Sequence, residues 1–537
     1  MTSPSPGTVV GVRIAAFDLG SNSFHLLVAD AHRDGTFEPV ATDKEMLRLG
    51  SAVASTGEIG EKLAIDAVNV IRRFRSMAES LNADEIVACA TAAFREATDS
   101  LAVVDRIESE AGVKVRVIGG REEARLIFDA VRTSVVIDPA PALALDLGGG
   151  SLEVMIGDNR GLDFAVSLKL GVARLTADLV RADPPSGADA RRVAKAVTAG
   201  FERILPEIRE RRARMAVGSS GTLTTLIGLA AARSGVTAPS TVNQLAVTAK
   251  EIDALTSQLL AMTAAQRGDL PGVDSRRADL LPAGAVLLST VLDLTGLDGL
   301  VGSEWALREG MVLDAIGHHT SSDWDPDPRA IRRDSVLGLC RRSGWNERHS
   351  LKVARLATEL FDGTANLHKL SATDRELLEL GALLHDIGEY VSTDSHERHT
   401  AYLIQNGRLR GFSPAEIDVL ACLGRFHKRG NPKSSFEPWA RMSSEDQKRV
   451  SRLIALLQVA DGLDRSHGGP VRDVQVYSNR RVVEVVVVAD DDIDLELWGL
   501  RRKRDLFQKV FDCRLDVVDA QMTLTLEDDK VTRLGDR

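Results

Sequence analysis

Two short phrases in this 537-residue chain place a carboxylate immediately before a turn of small residues: Ala16-Phe17-Asp18-Leu19-Gly20-Ser21-Asn22-Ser23 and Ala144-Leu145-Asp146-Leu147-Gly148-Gly149-Gly150-Ser151. Glycine and serine let a backbone come close to an anion with its N–H groups exposed. Aspartate holds a hard cation, usually through water. Gly20, Ser21, Asn22 and Ser23 on one side, with Gly148, Gly149, Gly150 and Ser151 on the other, would together make a phosphate clamp, with Asp18 and Asp146 as candidate metal ligands. The phrases stand 128 positions apart, and their repetition predicts duplicated halves around one cleft. Glu153 lies two residues beyond Ser151 on the outgoing strand, hence on the same side, and is a further candidate ligand or base.

Between the phrases, Gly119-Gly120-Arg121-Glu122-Glu123-Ala124-Arg125 opens a helix. A carboxylate there can point into the cleft, where neighbouring like charge raises its pKa and suits it to activate water. Alternatively, Glu122 and Glu123 simply sit where the helix dipole favours negative charge. Arg95 follows a strand ending near Ala90 and either reaches a phosphoryl oxygen or pairs with Glu96 at the surface. Gly218-Ser219-Ser220-Gly221-Thr222 is a third strand-to-helix turn, read as a phosphate-facing loop or a plain connector.

The elements that must position these groups alternate between strand and helix. Strands flank the first turn over 11–30, and a helix with apolar residues three and four apart runs over 63–81. Strands follow at 85–90 and 113–118. Pro139 and Pro141 mark a boundary near Ile137. The second half then repeats the plan with strands over 142–158, a helix over 191–211, a strand at 215–218 and a helix over 223–232. The resulting expectation is a disordered Ser/Pro-rich leader over 1–11, an α/β lobe over 12–137 and a second over 138–320. A polar, proline-containing linker at 321–328 precedes a helical domain over 328–468 and a small α+β domain over 469–537. In that last domain strands at 474–477 and 482–488 form a hairpin, a basic helix covers 500–510, and a final strand falls at 521–526.

Bulk properties narrow the classes. The net charge of −10 argues against a nucleic-acid binder, no segment reads as a signal or a membrane span, and four scattered cysteines without a CxxC pair fit a reduced compartment. A cytoplasmic protein with no membrane and no nucleic-acid partner is expected. The helical region also carries His349, the pair His385-Asp386, His399, His427 and Asp461. Imidazole and carboxylate on packed helices can converge on a divalent ion, and His349, His385, Asp386 and Asp461 form a possible second metal site. Basic clusters at 425–429 and 501–504 are either solvated faces or the lining of a groove for a polyanion.

Taken together, the two turns, Gly120-Arg121-Glu122-Glu123-Ala124-Arg125, Gly218-Ser219-Ser220-Gly221-Thr222 and Leu307-Arg308-Glu309-Gly310 resemble the exopolyphosphatase/guanosine pentaphosphate phosphatase family over about residues 12–315. The order H…HD…D in the helical region is similar to the HD phosphohydrolase superfamily, as in long members of the first family. The resemblance implies duplicated ribonuclease-H-like lobes of the actin and sugar-kinase type, followed by an all-α HD-like domain. It also implies removal of the terminal phosphate of inorganic polyphosphate, of guanosine pentaphosphate (pppGpp), or of both, with Mg²⁺ or Mn²⁺, in a homodimer. A regulator that binds ppGpp or polyphosphate without hydrolysis is the non-catalytic alternative. By motif, Glu123 matches the general base, with Glu122 its rival, and Arg95 a substrate-phosphate contact.

Overall fold

The computed structural model describes residues 10–32, 36–235, 241–319, 330–428, 430–479, 481–489 and 492–519, and divides at Ile331/Arg332 into two compact units. The linker at 321–328, the strand expected at 521–526 and residues 1–9 of the leader expected over 1–11 lie outside the described residues, whereas Val10 and Gly11 of that leader already belong to the first strand.

Strands β1 (Val10–Leu19), β2 (Ser23–His32), β3 (Phe37–Met46), β4 (Glu85–Ala90) and β5 (Arg116–Val117) form the first sheet, in the order β3-β2-β1-β4-β5. The second contains β6 (Ala142–Leu147), β7 (Leu152–Asp158), β8 (Gly161–Leu168), β9 (Met215–Ser219), β10 (Ala246–Thr248) and β11 (Gly299–Gly302), ordered β10-β11-β9-β6-β7-β8. Read from its other edge, β8-β7-β6-β9 repeats β3-β2-β1-β4, which fits duplicated α/β lobes. In each sheet the carboxylate-bearing strand pairs antiparallel with the strand that follows it and parallel with β4 or β9.

Register makes the repeat specific. Asp18 stands opposite His25 and Cys89, whereas Asp146 stands opposite Glu153 and Ser219. Thus His25 is the counterpart of Glu153, and Cys89 of Ser219.

The helices Gly120–Ser134 and Leu307–His319 cross between the sheets, in a core that mixes Ile14 and Ala16 of β1, Phe128 and Val131 of the first helix, Met155 of β7 and Val217 of β9. Their crossing depends on Gly310, because a Cβ there would stand 1.9 Å from the Leu126 carbonyl oxygen. The helix expected over 191–211 is two helices, Gly187–Phe201 and Leu205–Arg211, with Pro206 in the first turn of the second. Proline has no N–H to continue a preceding helix but fits a first turn. Strands β3 and β8 carry no clean apolar alternation, and the segment expected as a strand over 113–118 pairs only at Arg116 and Val117.

In the second unit, helices from Ala330 to Gly462 and a three-stranded sheet share one hydrophobic core. Strands β12 (Val471–Ser478) and β13 (Val482–Ala489) form the hairpin, and β14 (Arg514–Asp519) returns parallel to β13 after the helix Asp494–Phe511. No helix among the described residues is long and apolar enough to cross a membrane. The four cysteines are buried free thiols.

Candidate active site

The two turns meet. A Cβ on Gly149 would stand 3.1 Å from Asn22 Cβ, and one on Gly150 would stand 3.0 Å from Ser21 Oγ. Ser21 Oγ accepts a hydrogen bond from the Ala93 N–H at 3.0 Å, and the Ser21 carbonyl accepts one from the Gly50 N–H, so the first turn is fixed from both sides. Between and beside the turns lies a cleft of about 710 Å³.

One wall of the cleft is acidic, with Asp18, Glu123, Asp146 and Glu153. All four are pushed above their ordinary pKa, by burial first: Asp18 to about 8, Asp146 to about 6, Glu123 upward and Glu153 well upward; neighbouring carboxylate charge adds to each, that of Glu309 for Asp146 and that of other members of the four for the rest. Arg308 partly offsets the shift of Asp18, a Ser219 hydrogen bond that of Asp146, and Arg95 that of Glu123. Ser219 Oγ lies 2.5 Å from Asp146 Oδ2, and Ser167 Oγ donates to Glu153 Oε1 at 2.8 Å. Asp18 Oδ1 is buried without a hydrogen-bond partner. An orphaned carboxylate oxygen beside three further crowded carboxylates is a donor set that fits a hard divalent cation.

Lys44, Arg277 and Arg308 line the same cleft, together with His25, which stands opposite Asp18 in the sheet register. Burial and then the charges of Arg308, Lys44 and Arg277 hold His25 well below its ordinary pKa, so it is a neutral imidazole. Its Nε2 lies 2.8 Å from Ser23 Oγ. In the motif Leu307-Arg308-Glu309-Gly310 each polar member has a distinct place. Arg308 faces the cleft, Glu309 Oε2 accepts from the Ala306 N–H at 2.9 Å, and Gly310 permits the helix crossing.

The candidate residues separate into those on the wall and those behind it. Gly20 to Ser23, Gly148 to Ser151, Ser220 and Gly221 line the cleft. Gly218, Ser219 and Thr222 stand behind it: Ser219 holds Asp146, and Thr222 Oγ1 accepts from Arg277 Nη2 at 3.0 Å. Ser220 has φ 84°, a left-handed conformation uncommon for a non-glycine residue, at the start of the helix Ser220–Arg233. Glu122 is off the wall and pairs with Arg116, whereas Glu123 is only 6 % exposed. Arg95 Nη1 donates to Glu123 Oε2 at 2.5 Å and to the Ile118 carbonyl at 2.9 Å. It does not pair with Glu96, which is held by Arg174 at 2.6 Å. Sequence reasoning missed Lys44, Arg277 and His25. The only signal for His25 was its place seven residues after Asp18, matching Glu153 seven after Asp146.

In the second unit His349, His385, Asp386 and Asp461 do converge, but the histidine that joins them from the helix His396–Asn406 is His396 rather than His399. His427, expected both in a basic cluster and among the histidines of this constellation, and Lys503, expected in a basic cluster, are turned inward. His427 Nε2 lies 3.2 Å from Asp386 Oδ1, and Lys503 Nζ pairs with Asp461.

Comparison with known proteins agrees with this geometry. The chain is 36 % identical over 306 residues to Exopolyphosphatase 1 of Mycobacterium tuberculosis, covering 56 % of this chain and 88 % of that protein. It is 27 % identical over 449 residues to the guanosine-5'-triphosphate,3'-diphosphate pyrophosphatase of Aeromonas hydrophila, covering 83 % and 86 %. Among solved structures, an exopolyphosphatase from Cytophaga hutchinsonii superposes with TM-score 0.54 at 26 % identity, covering 57 % of this chain and 100 % of that one. The Aquifex aeolicus Ppx/GppA family member gives TM-score 0.51 at 25 % identity, covering 58 % and 99 %. The profile described as Ppx/GppA phosphatase family matches residues 28–319, and that described as Ppx/GppA phosphatase, domain III, matches 331–495, so the chain belongs to the Ppx/GppA phosphatase family.

Proposed function

We propose that the cleft of the first unit is an exopolyphosphatase active site, which removes the terminal phosphate of inorganic polyphosphate by attack of water. The observation that carries this reading is one cleft lined by four crowded carboxylates and by Lys44, Arg277 and Arg308, together with two facing turns rich in glycine and serine. A phosphate chain end presents several negative charges, and Lys44, Arg277, Arg308 and the turn N–H groups offer donors to them. Asp18, Asp146 and Glu153 would hold Mg²⁺ or Mn²⁺, which when bound offsets charge on the phosphoryl oxygens.

Glu123 accepts the proton of the attacking water. Arg95 occupies its Oε2, which leaves Oε1 for that proton. The water oxygen forms a bond to the terminal phosphorus as the anhydride P–O bond breaks, and the shortened polyphosphate departs with the electron pair. Lys44, Arg277 and Arg308 stabilise that departing charge, while His25 beside Ser23, being neutral, adds no positive charge to theirs.

The similarity to the Aeromonas hydrophila enzyme over 83 % of this chain supports a second substrate, guanosine pentaphosphate, in the same cleft. Orthophosphate release from long polyphosphate and from guanosine pentaphosphate, compared for the native chain and Glu123→Gln, tests both. Release from polyphosphate that Glu123→Gln abolishes is expected. Activity on guanosine pentaphosphate alone would shift the assignment to the nucleotide, and activity on neither would leave the binding-only reading.

A further inference from the structure

The two turns end alike and then part. Each closes on a serine followed by one apolar and one polar residue, Ser23-Phe24-His25 in the first and Ser151-Leu152-Glu153 in the second. Residues two apart on a strand share a face, so each serine lies against the residue two places on. Ser23 Oγ is 2.8 Å from His25 Nε2, and the Ser151 hydroxyl hydrogen-bonds the Glu153 carboxyl group. The geometry is repeated but the chemistry is not. In its charged form a carboxylate only accepts, and Glu153 takes the Ser167 hydroxyl at 2.8 Å as well as that of Ser151. The Ser151 hydrogen is thereby held on Glu153.

At His25 the direction of the bond depends on one hydrogen. An Nε2 without a hydrogen would draw the Ser23 hydroxyl hydrogen onto itself, and Ser23 would then show the cleft only lone pairs. An Nε2 that carries one donates it to Ser23 Oγ and leaves the hydroxyl hydrogen free to turn outward. Ser23 and His25 both line the cleft, and the charges of Arg308, Lys44 and Arg277 all act on the ring. Three cations around one place draw an anion there, and an anion's oxygen is repelled by a lone pair but bound by a hydrogen. Only the second arrangement suits it. The same reasoning says why the first turn does not carry the carboxylate of the second. A carboxylate in the place of His25 would take the Ser23 hydrogen, and it would stand opposite Asp18 in the register, where the substrate brings negative charge of its own.

We infer that His25 is a positioning residue of the cleft: it donates its Nε2 hydrogen to Ser23 Oγ, and Ser23 in turn donates its hydroxyl hydrogen to an oxygen of the bound phosphoryl group. The first turn thus meets the anion with a side-chain donor, whereas the matching serine of the second turn donates to Glu153. The inference deepens the exopolyphosphatase reading and takes its substrate from it. It does not depend on the charge of the ring, since a ring carrying both hydrogens also donates from Nε2.

Phosphate release from polyphosphate is compared for the full-length native chain, Ser23→Ala, His25→Leu, His25→Gln and the double variant Ser23→Ala/His25→Leu. Loss of one hydrogen bond to a charged phosphoryl oxygen is expected to lower kcat/KM about 10–100-fold in Ser23→Ala. His25→Leu, which cannot donate, should fall by a similar factor, and the double variant no further, because both changes remove the same bond. An amide still donates, so His25→Gln should keep most of the native value. Losses that multiply in the double variant, or His25→Gln as impaired as His25→Leu, would overturn the inference. Apart from turnover, nitrogen NMR of the native chain with isotope-labelled histidine and saturating inorganic phosphate reads the ring directly, the His25 signals being those absent from His25→Gln. A hydrogen on Nε2 is expected, and its absence overturns the inference. Should His25→Leu fail to fold, His25→Gln and the ring nitrogen decide. A native chain that carries the Nε2 hydrogen yet releases no phosphate from polyphosphate would remove the exopolyphosphatase reading and uphold the assignment of His25.

Discussion

Glu122 and Glu123 are adjacent in sequence, and one step of about 100° around a helix separates them completely. Glu122 pairs with Arg116 away from the cleft, and Glu123 is buried on its wall against Arg95. Replacing a proton acceptor by its neutral isostere removes the chemistry and keeps the shape. Glu123→Gln is therefore expected to lower phosphate release by about 10²–10⁴-fold with unchanged circular dichroism, and Glu122→Gln to leave it near the native rate. Arg95 holds the Glu123 pKa down against burial. Arg95→Met should raise that pKa, so the acid limb of the kcat/KM profile moves to higher pH; a profile that only drops in height would make Arg95 a substrate contact instead. The residues legible in the sequence were those whose type and local spacing recur, namely the two turns, their aspartates and Glu153. Lys44 and Arg277 were not legible, because each is an isolated cation that topology alone brings to the cleft. His396 and His399 lie three residues apart on one helix, and only packing against His427 selects the first.

At the scale of elements, the sequence showed strands wherever an apolar run lies next to a carboxylate, because such strands are buried on both faces. It did not show β3, whose exposed positions mix Pro39, Val40, Thr42 and Lys44 without an apolar alternation, nor the break before Leu205, nor β14 beyond the described hairpin. The same elements place unusual demands on glycine. A Cβ at Gly171 would stand 2.2 Å from the backbone carbon of Gly150, so the helix beginning at Val172 presses directly on the second turn. Gly171→Ala must displace that turn although residue 171 is not on the cleft wall. Overpacking of this kind costs about 1–3 kcal/mol, and a lowered Tm together with a raised KM for polyphosphate is expected. Gly187→Ala, whose Cβ would meet nothing closer than Arg191 Nη1 at 3.6 Å, is the control and should leave both unchanged.

Over the whole molecule the net charge is −10, and the cleft buries four of the carboxylates close together, which makes stability depend on pH and on divalent cation. Asp18 titrates at about 8 in the folded chain against 3.8 ordinarily, so between those values the folded state keeps a proton that the unfolded state has lost. The Asp18 contribution to the stability of the cation-free chain therefore falls as pH rises through that window and levels off above about 8. Asp146, at about 6, adds to the fall over the lower part of the window. The side-chain amide introduced by Asp18→Asn binds no proton at any of these pH values, so this variant escapes the Asp18 share of the loss. In chelator, thermal melts of Asp18→Asn and the native chain should coincide near the acid edge of the window, then separate steadily in favour of the variant. Mg²⁺ should raise the native Tm most at the alkaline end, where the carboxylates are charged and uncompensated, and should raise the variant much less. If chelated native chain and Asp18→Asn melt in parallel across the whole window, Asp18 carries no buried charge, and the acidic wall is not the cation site that the phosphatase reading requires.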